Sequence, residues 1–402
     1  MRRLPGRPSP LCAASLRRVL TCGIVCLLAL TAGCATAAPQ HPSLLAHAPI
    51  SPGTLLQQEQ IPGAPVGATA YRVLYRSTGM SGEAIAVSGI VVIPDGPVPP
   101  GGRPIVAWAH PTTGLVPRCA PSEAIFHFQQ IQGLRDMLEH GFIVAATDYP
   151  GLGTDGPHPY LVGISEARTV LDSVRAARAL PAAQAGVRFA VWGHSQGGQA
   201  ALFTGMIAAQ YAPELLLVGV AAAAPATDLA ALMQADLTTP AGKNLTAMTL
   251  WAWSRIYGAP LSNVVTPAAV PVIDALADEC IESVYDLYRR KHTAQPLDAS
   301  FLTVGNLAAT QPWARLAALN TPGTLPPSIP VFIAQGSKDP IVPPRITQAY
   351  VQRLCTAGSR VTLVDLPGVG HAFAAMWSAR DAVAWMADQF AGLPAPNDCS
   401  RL

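Results

Sequence analysis

Gly193-His194-Ser195-Gln196-Gly197 has the form G-x-S-x-G, a serine flanked two places to either side by glycine. Held on a sharp strand-to-helix turn, such a serine lifts its hydroxyl above a sheet as a nucleophile toward carbonyl carbon. The glycines let strand and helix pass closely. The N–H of the next residue, Gln196, then points at a forming oxyanion from a helix N-terminus. The buried-type run VRFAVWG leads in and the small-residue run GQAALFTGMIAAQ leads out, the context the motif requires. Behind the serine the chemistry needs a base and an acid, in the chain order serine, acid, histidine. Downstream of Ser195 only His292 and His371 remain. His292 lies in the charged run RRKHTAQP and reads as surface. His371 follows the run RVTLVDLPG, where a last strand ends, and can serve as base to Ser195 and then as acid to a leaving alkoxide. Asp339, in QGSKDPIVPP after the strand-like PVFIA, can orient the imidazole. Asp228, after the preceding strand, is its rival, whereas Asp365 lies inside the last strand and reads as structural. A second oxyanion donor must come from His110-Pro111-Thr112-Thr113-Gly114; Pro111 has no N–H, so Thr112 is preferred and Thr113 is next. His110 and His194 read as hydrogen-bonded structural residues.

The elements that would hold these residues alternate. Residues 71–77 and 83–94 alternate like an antiparallel pair, after an irregular strap over 39–68. Continuous apolar runs at 104–110, 142–148, 187–193, 215–224 and 330–336 fit strands covered on both faces. Helical spacing predicts helices over 122–140, capped by Ser122, and over 164–180, capped by Ser165. The rhythm stops over 226–328, a stretch of helical patterns, and returns with a strand at 360–368 and a final helix at 374–391. The expectation is an α/β class, a mostly parallel doubly wound sheet with a helical insertion between the sixth and seventh strands. Trp251, Trp253 and Tyr257 read as core of that insertion rather than as an acyl site, and the sequon Asn244-Leu245-Thr246 as coincidence.

Five arginines precede an apolar run at 19–30, followed by small residues, the three regions of a secretory signal ending near 38. The run is short of the ~20 residues of a membrane span, so no transmembrane segment is expected once the signal is removed. Thr31-Ala32-Gly33-Cys34 approximates a lipobox, which would put a lipid on Cys34; Ala35-Thr36-Ala37 offers ordinary cleavage instead. Without the five arginines the balance of 26 basic to 24 acidic residues becomes 21 to 24, mildly acidic, which excludes nucleic acid as the main partner. Only 12% of residues are charged and 50% are hydrophobic, against disorder. Cys119, Cys280, Cys355 and Cys399 remain in the exported chain; two disulfides are expected, in any of three connectivities. No CxxC or HxxxH spacing supports a metal site.

Taken together, GHSQG, Cys119-Ala120-Pro121-Ser122, TDYPGLGTDGPHPYLVG at 147–163, GSKDPIVP and GVGHAF resemble the secretory lipase family, lipase A type, of the α/β-hydrolases. The resemblance spans most of 50–400 and implies a Ser195–Asp339–His371 triad that cleaves carboxylic esters without a cofactor. It implies hydrolase-core segments over 39–225 and 329–402, with 226–328 as a lid that shapes the acyl pocket and touches lipid surfaces. It also implies the pairs Cys119–Cys280 and Cys355–Cys399. The chain departs from the family in its oxyanion loop, which often carries an acid and here reads His-Pro-Thr-Thr. An acyltransferase or serine peptidase would use the same triad, and a non-catalytic lipoprotein receptor would keep only the pocket.

Overall fold

Runs that are apolar at every residue become strands buried on both faces. Ile105, Val106, Ala107 and Trp108, and likewise Phe189, Ala190, Val191 and Trp192, are all buried. In the latter strand Phe189 and Val191 face one core, and Ala190 and Trp192 the opposite one. The computed structural model describes residues 51–401, so the signal-peptide and Cys34 expectations lie outside the described residues. Nine strands form one sheet: β1 (Leu55–Ile61), β2 (Ala68–Thr78), β3 (Ala84–Pro94), β4 (Arg103–Ala109), β5 (Ile143–Thr147), β6 (Ala185–His194), β7 (Leu216–Ala223), β8 (Val331–Gly336) and β9 (Val361–Leu366). Their order is β1-β2-β3-β5-β4-β6-β7-β8-β9. The first three and the β3–β5 contact are antiparallel, and every pairing from β5 to β9 is parallel.

Helices α1 (Leu134–Glu139), α2 (Gly163–Ala179), α3 (Gln196–Tyr211), α4 (Leu229–Asp236), α5 (Pro240–Ile256), α6 (Val270–Ala277), α7 (Val284–Ala294), α8 (Pro296–Ala299), α9 (Trp313–Leu319), α10 (Pro344–Thr356) and α11 (Ala374–Phe390) complete the fold. One sheet face is covered by α2, α3 and α10, the other by α1 and α11. Helices α4 to α9 lie between β7 and β8 and enclose a third core around Trp253, Ile273, Leu276 and Trp313. The indole of Trp253 donates to the carbonyl of Tyr160 (3.0 Å), joining that core to the sheet-side loops.

Three local expectations are corrected. The strap contains strand β1, which shifts the insertion from between strands six and seven to between seven and eight. Its centre, Gln57-Gln58-Glu59-Gln60, is exposed on both faces and held by backbone pairing to β2, so it shows no hydrophobic alternation. The stretch 122–140 is not one helix: two 3-10 turns precede α1, which starts after Gly133 in left-handed conformation (φ 79°). Ser122 caps nothing; its N–H and hydroxyl go to the buried carboxylate of Asp148 (2.9 and 2.6 Å). Ser165 lies inside α2, which begins at Gly163. Among the described residues no helix is long and apolar enough to cross a membrane.

Candidate active site

Strand β6 ends at His194 and α3 begins at Gln196, leaving Ser195 alone on the turn with φ 57°. A side chain other than glycine's rarely takes that conformation, and local strain of this kind gathers where chemistry is done. The flanking glycines are explained by contact: a Cβ on Gly193 would meet the Gly197 carbonyl, and one on Gly197 the carbonyl of Ala109 in β4. The turn is therefore closed against its own helix and the neighbouring strand.

Two loops from parallel strand ends reach this serine. The hydroxyl of Ser195 lies 2.8 Å from Nε2 of His371, in the loop after β9. Nδ1–H of His371 donates to Oδ2 of Asp339 (2.8 Å), in the loop after β8. Asp339 is buried, and its Oδ1 accepts the N–H groups of Ile341 (2.9 Å) and Val342 (2.8 Å). Gln335 Nε2 donates to its Oδ2 (3.3 Å). Four donors thus hold the carboxylate in one orientation. The rival acid is used elsewhere: Asp228 caps α4, accepting the N–H of Ala231 (3.0 Å). Asp365 is exposed on β9, and His292 is exposed on α7.

His194 is buried, and its Nε2–H donates to the backbone oxygen of His371 (3.0 Å). Burial and the facing imidazole push its pKa down to about 3, so it stays neutral beside the site. His110 is also buried, with ring nitrogens toward the carbonyls of Pro111 (2.6 Å) and Asp148 (3.2 Å), and burial pushes its pKa down to about 4. In the loop after β4, Thr112 is half-buried with its hydroxyl against that of Tyr160 (3.1 Å). Thr113 is buried and its carbonyl accepts from Ile281 of the insertion (2.7 Å). The Cys119–Cys280 disulfide ties the same two segments together, and Cys355–Cys399 joins α10 to the C-terminal tail.

Beneath the elbow lies a polar cluster that the sequence reading missed. The side-chain amide of Gln196 donates to Glu166 Oε1 (2.8 Å) and to Nε2 of His158 (2.9 Å), and Leu161 N–H also reaches Glu166 (3.0 Å). Burial pushes the Glu166 carboxyl up to about 8, against the pull of those donors, and pushes His158 down to about 3. Both are therefore neutral near pH 7. In ISEARTVLDSV Glu166 falls among residues of the covered α2 face, the one sequence sign of its burial.

A pocket of about 40 Å³ opens at the serine, walled by Leu229, Leu232, Met233, Leu245 and Val342. Trp251, Trp253 and Tyr257 do not line it; they pack within the insertion, where Tyr257 OH bonds Asn320. Asn244 accepts from the buried Arg290. Among the described residues no group of three or more His, Cys, Asp or Glu could hold a metal ion.

A positive-φ serine between parallel strand β6 and its helix, met by loops from two later strand ends, defines an α/β-hydrolase. The chain belongs to the secretory lipase family, whose sequence model matches residues 127–398. It is 26% identical over 363 residues to a protein of Mycobacterium tuberculosis named probable inactive lipase MT1628, covering 85% of this chain and 79% of that one. It is 25% identical over 378 residues to lipase A of Arthroderma benhamiae, covering 87% and 78%. Its fold matches that of Candida antarctica lipase A in its closed state, with TM-score 0.72 at 18% identity, over 87% of this chain and 86% of that one.

Proposed function

We propose that the chain is an exported serine hydrolase of carboxylic esters with short acyl groups. Its nucleophile is Ser195, its base His371 and its orienting acid Asp339. The observation that carries this reading is the unbroken line of hydrogen bonds from Ser195 through both ring nitrogens of His371 to Asp339. Ser195 Oγ attacks the ester carbonyl while His371 Nε2 takes its proton, and Asp339 stabilises the imidazolium. The tetrahedral oxyanion is held by the N–H of Gln196 and, from the β4 loop, that of Thr112. His371 returns the proton to the departing alkoxide, leaving an acyl-serine, and water repeats the sequence with His371 as base. These steps need no cofactor or metal.

The pocket volume supports short acyl chains: about 40 Å³ is well below the ~150 Å³ of an apolar cavity that takes a benzene-sized guest. Residues 226–328 act as a lid over it, on core segments 39–225 and 329–402, and carry the contact with lipid surfaces. The 1–38 leader supports export by signal cleavage, with a lipid on Cys34 as the alternative. A non-catalytic receptor is the second reading, raised by the inactive relative; the complete serine, histidine and aspartate set speaks against it.

Rates on p-nitrophenyl esters from acetate to palmitate, beside a peptide amide, test the reading in wild type and Ser195→Ala. Turnover should peak at or below butyrate and fall ~10³-fold or more in the variant. Undiminished turnover in Ser195→Ala removes the assigned nucleophile, dominant amide cleavage makes the protein a peptidase, and preferred transfer to added alcohol makes it an acyltransferase.

A further inference from the structure

On the insertion side the wall of the serine pocket is apolar except at Asp236, the last residue of α4, and at Thr246 and Thr249 of α5. Asp236 is 9% exposed and its Oδ1 has no hydrogen-bond partner among the described residues. Thr246 is 1% exposed and its Oγ1 is likewise unpaired. Thr249, in the same wall, shows the ordinary arrangement for a buried helical threonine, donating to the carbonyl of Leu245 (3.0 Å). Buried polar atoms without partners are costly, so the two on the insertion side of this small pocket, beside Gln196, whose Oε1 is also unpaired, mark a place built for a hydrogen-bonding guest.

The pocket holds the acyl side of an ester. It is lined by Ser195 and Gln196, the nucleophile and an oxyanion donor, but not by His371. A leaving alcohol must take its proton from His371 and therefore departs on the other side. The guest is also neutral in character. Burial, and after it the charge of Asp339, push the Asp236 carboxyl up to about 8, so near pH 7 it is an acid that can both donate and accept. A hydroxyl does the same, and the Thr246 hydroxyl in the wall of the same pocket can supply a second bond.

Building on the esterase reading of Ser195, we propose that this pocket selects short acyl groups that carry a hydroxyl, hydrogen-bonded by Asp236 and Thr246. The hydroxyl replaces partners that the protein does not supply, and an acyl chain without it leaves both groups buried and unpaired. A site made to bond a hydroxyl rejects the analogue lacking one more strongly than an apolar pocket rejects a changed chain length.

The test compares ethyl butyrate with racemic ethyl 2-hydroxybutyrate and ethyl 3-hydroxybutyrate by pH-stat titration, using the full mature protein. Wild type should favour one hydroxyacyl ester by about tenfold or more in kcat/KM. Asp236→Leu and Thr246→Val should each cut that ratio severalfold, and Asp236→Asn, which still hydrogen-bonds, should keep more of it than Asp236→Leu. The ratio is internal to each variant, so a loss of total activity does not disguise the result. Preference for plain ethyl butyrate, a ratio unmoved by both apolar variants, or preference for 2-hydroxyethyl butyrate, whose hydroxyl is on the alcohol side, each overturns the proposal. If plain esters turn over without hydroxyl preference, this proposal falls and the esterase reading stands; if no ester turns over, the esterase reading falls first.

Discussion

Exchanging Asp339 for Asn alters one atom and one charge, and the surroundings dictate the outcome. Oδ1 accepts two backbone N–H groups, from Ile341 (2.9 Å) and Val342 (2.8 Å). An amide NH₂ in that position would face two donors, so the Asn oxygen must occupy it. The NH₂ then falls where Oδ2 stood, 2.8 Å from Nδ1 of His371. Two donors cannot share that contact. The imidazole answers by moving its proton to Nε2, which now presents N–H to the Ser195 hydroxyl 2.8 Å away. A base that already carries its proton cannot take another. In a serine triad this tautomer error costs about 10⁴ in kcat, ~5.5 kcal/mol at about 1.4 kcal/mol per tenfold. The assay is kcat on p-nitrophenyl butyrate for wild type, Asp339→Asn and Asp228→Ala, each with a thermal melt. Asp228→Ala should cost about 1 kcal/mol of stability as a lost helix cap and leave kcat near wild type. Should Asp339→Asn retain more than about a tenth of wild-type kcat, the tautomer reasoning fails. A ~10⁴-fold loss in Asp228→Ala alone would transfer the acid's role to Asp228.

Two further outcomes are expected. The double variant Cys119→Ala/Cys280→Ala opens a link between residues 161 apart, worth up to ~5 kcal/mol on chain entropy. It should also lower kcat, because the freed loop carries Thr112. Cys355→Ala/Cys399→Ala, 44 apart, should cost ~4 kcal/mol with kcat kept. Thermal melts beside kcat decide, and equal catalytic loss in both would refute the special role of the first. Stability should be greatest in mildly acidic solution. Burial raises Glu166 and Asp236 to about 8, so the folded state holds protons that the unfolded chain releases, and stability is lost as pH rises toward 8. Buried His110, His158 and His194 are lowered to about 4, 3 and 3, so stability is lost as pH falls from the usual histidine range through those values. Each group changes stability by up to ~1.4 kcal/mol per pH unit within its window. Melting temperatures from pH 5 to 8.5 should fall at the alkaline end, and Glu166→Gln should flatten that fall; an equally steep fall in Glu166→Gln would contradict the assignment.

The central parallel strands were legible from long apolar runs, a signature of double-sided burial that residues 105–108 in β4 and 189–192 in β6 carry plainly. The positions of Ser195 and Asp339 followed from that, each lying where such a run stops, whereas His371 follows β9, which contains Thr362 and the exposed Asp365, and was placed by the chain order serine, acid, histidine. Strand β1 was not legible, since its exposed Gln57 to Gln60 give no pattern and only backbone pairing makes it a strand. The expected helix over 122–140 had good local spacing, but Ser122 found a buried partner 26 residues away in Asp148, and Gly133 turned the chain left-handed. Glu166 and Asp236 were passed over because an acid in a helix ordinarily faces water. Only the packing of α2 under the elbow and of α4 over the pocket removes that water.

Strand β8 lies beside β7 in register Val220 with Val331, so the intervening helices must be bridged before the sheet can grow past β7. The entropy of closing such a loop rises only ~0.6 kcal/mol per doubling of its length, which makes the long excursion tolerable. Its consequence is temporal. Ser195 is synthesised well before the strands that bring Asp339 and His371, and a chain that ends before β8 has the serine without either of its proposed partners. If the proposed triad holds, truncated chains that end before β8 should therefore show no ester turnover, and activity should appear only once the last two strands are present.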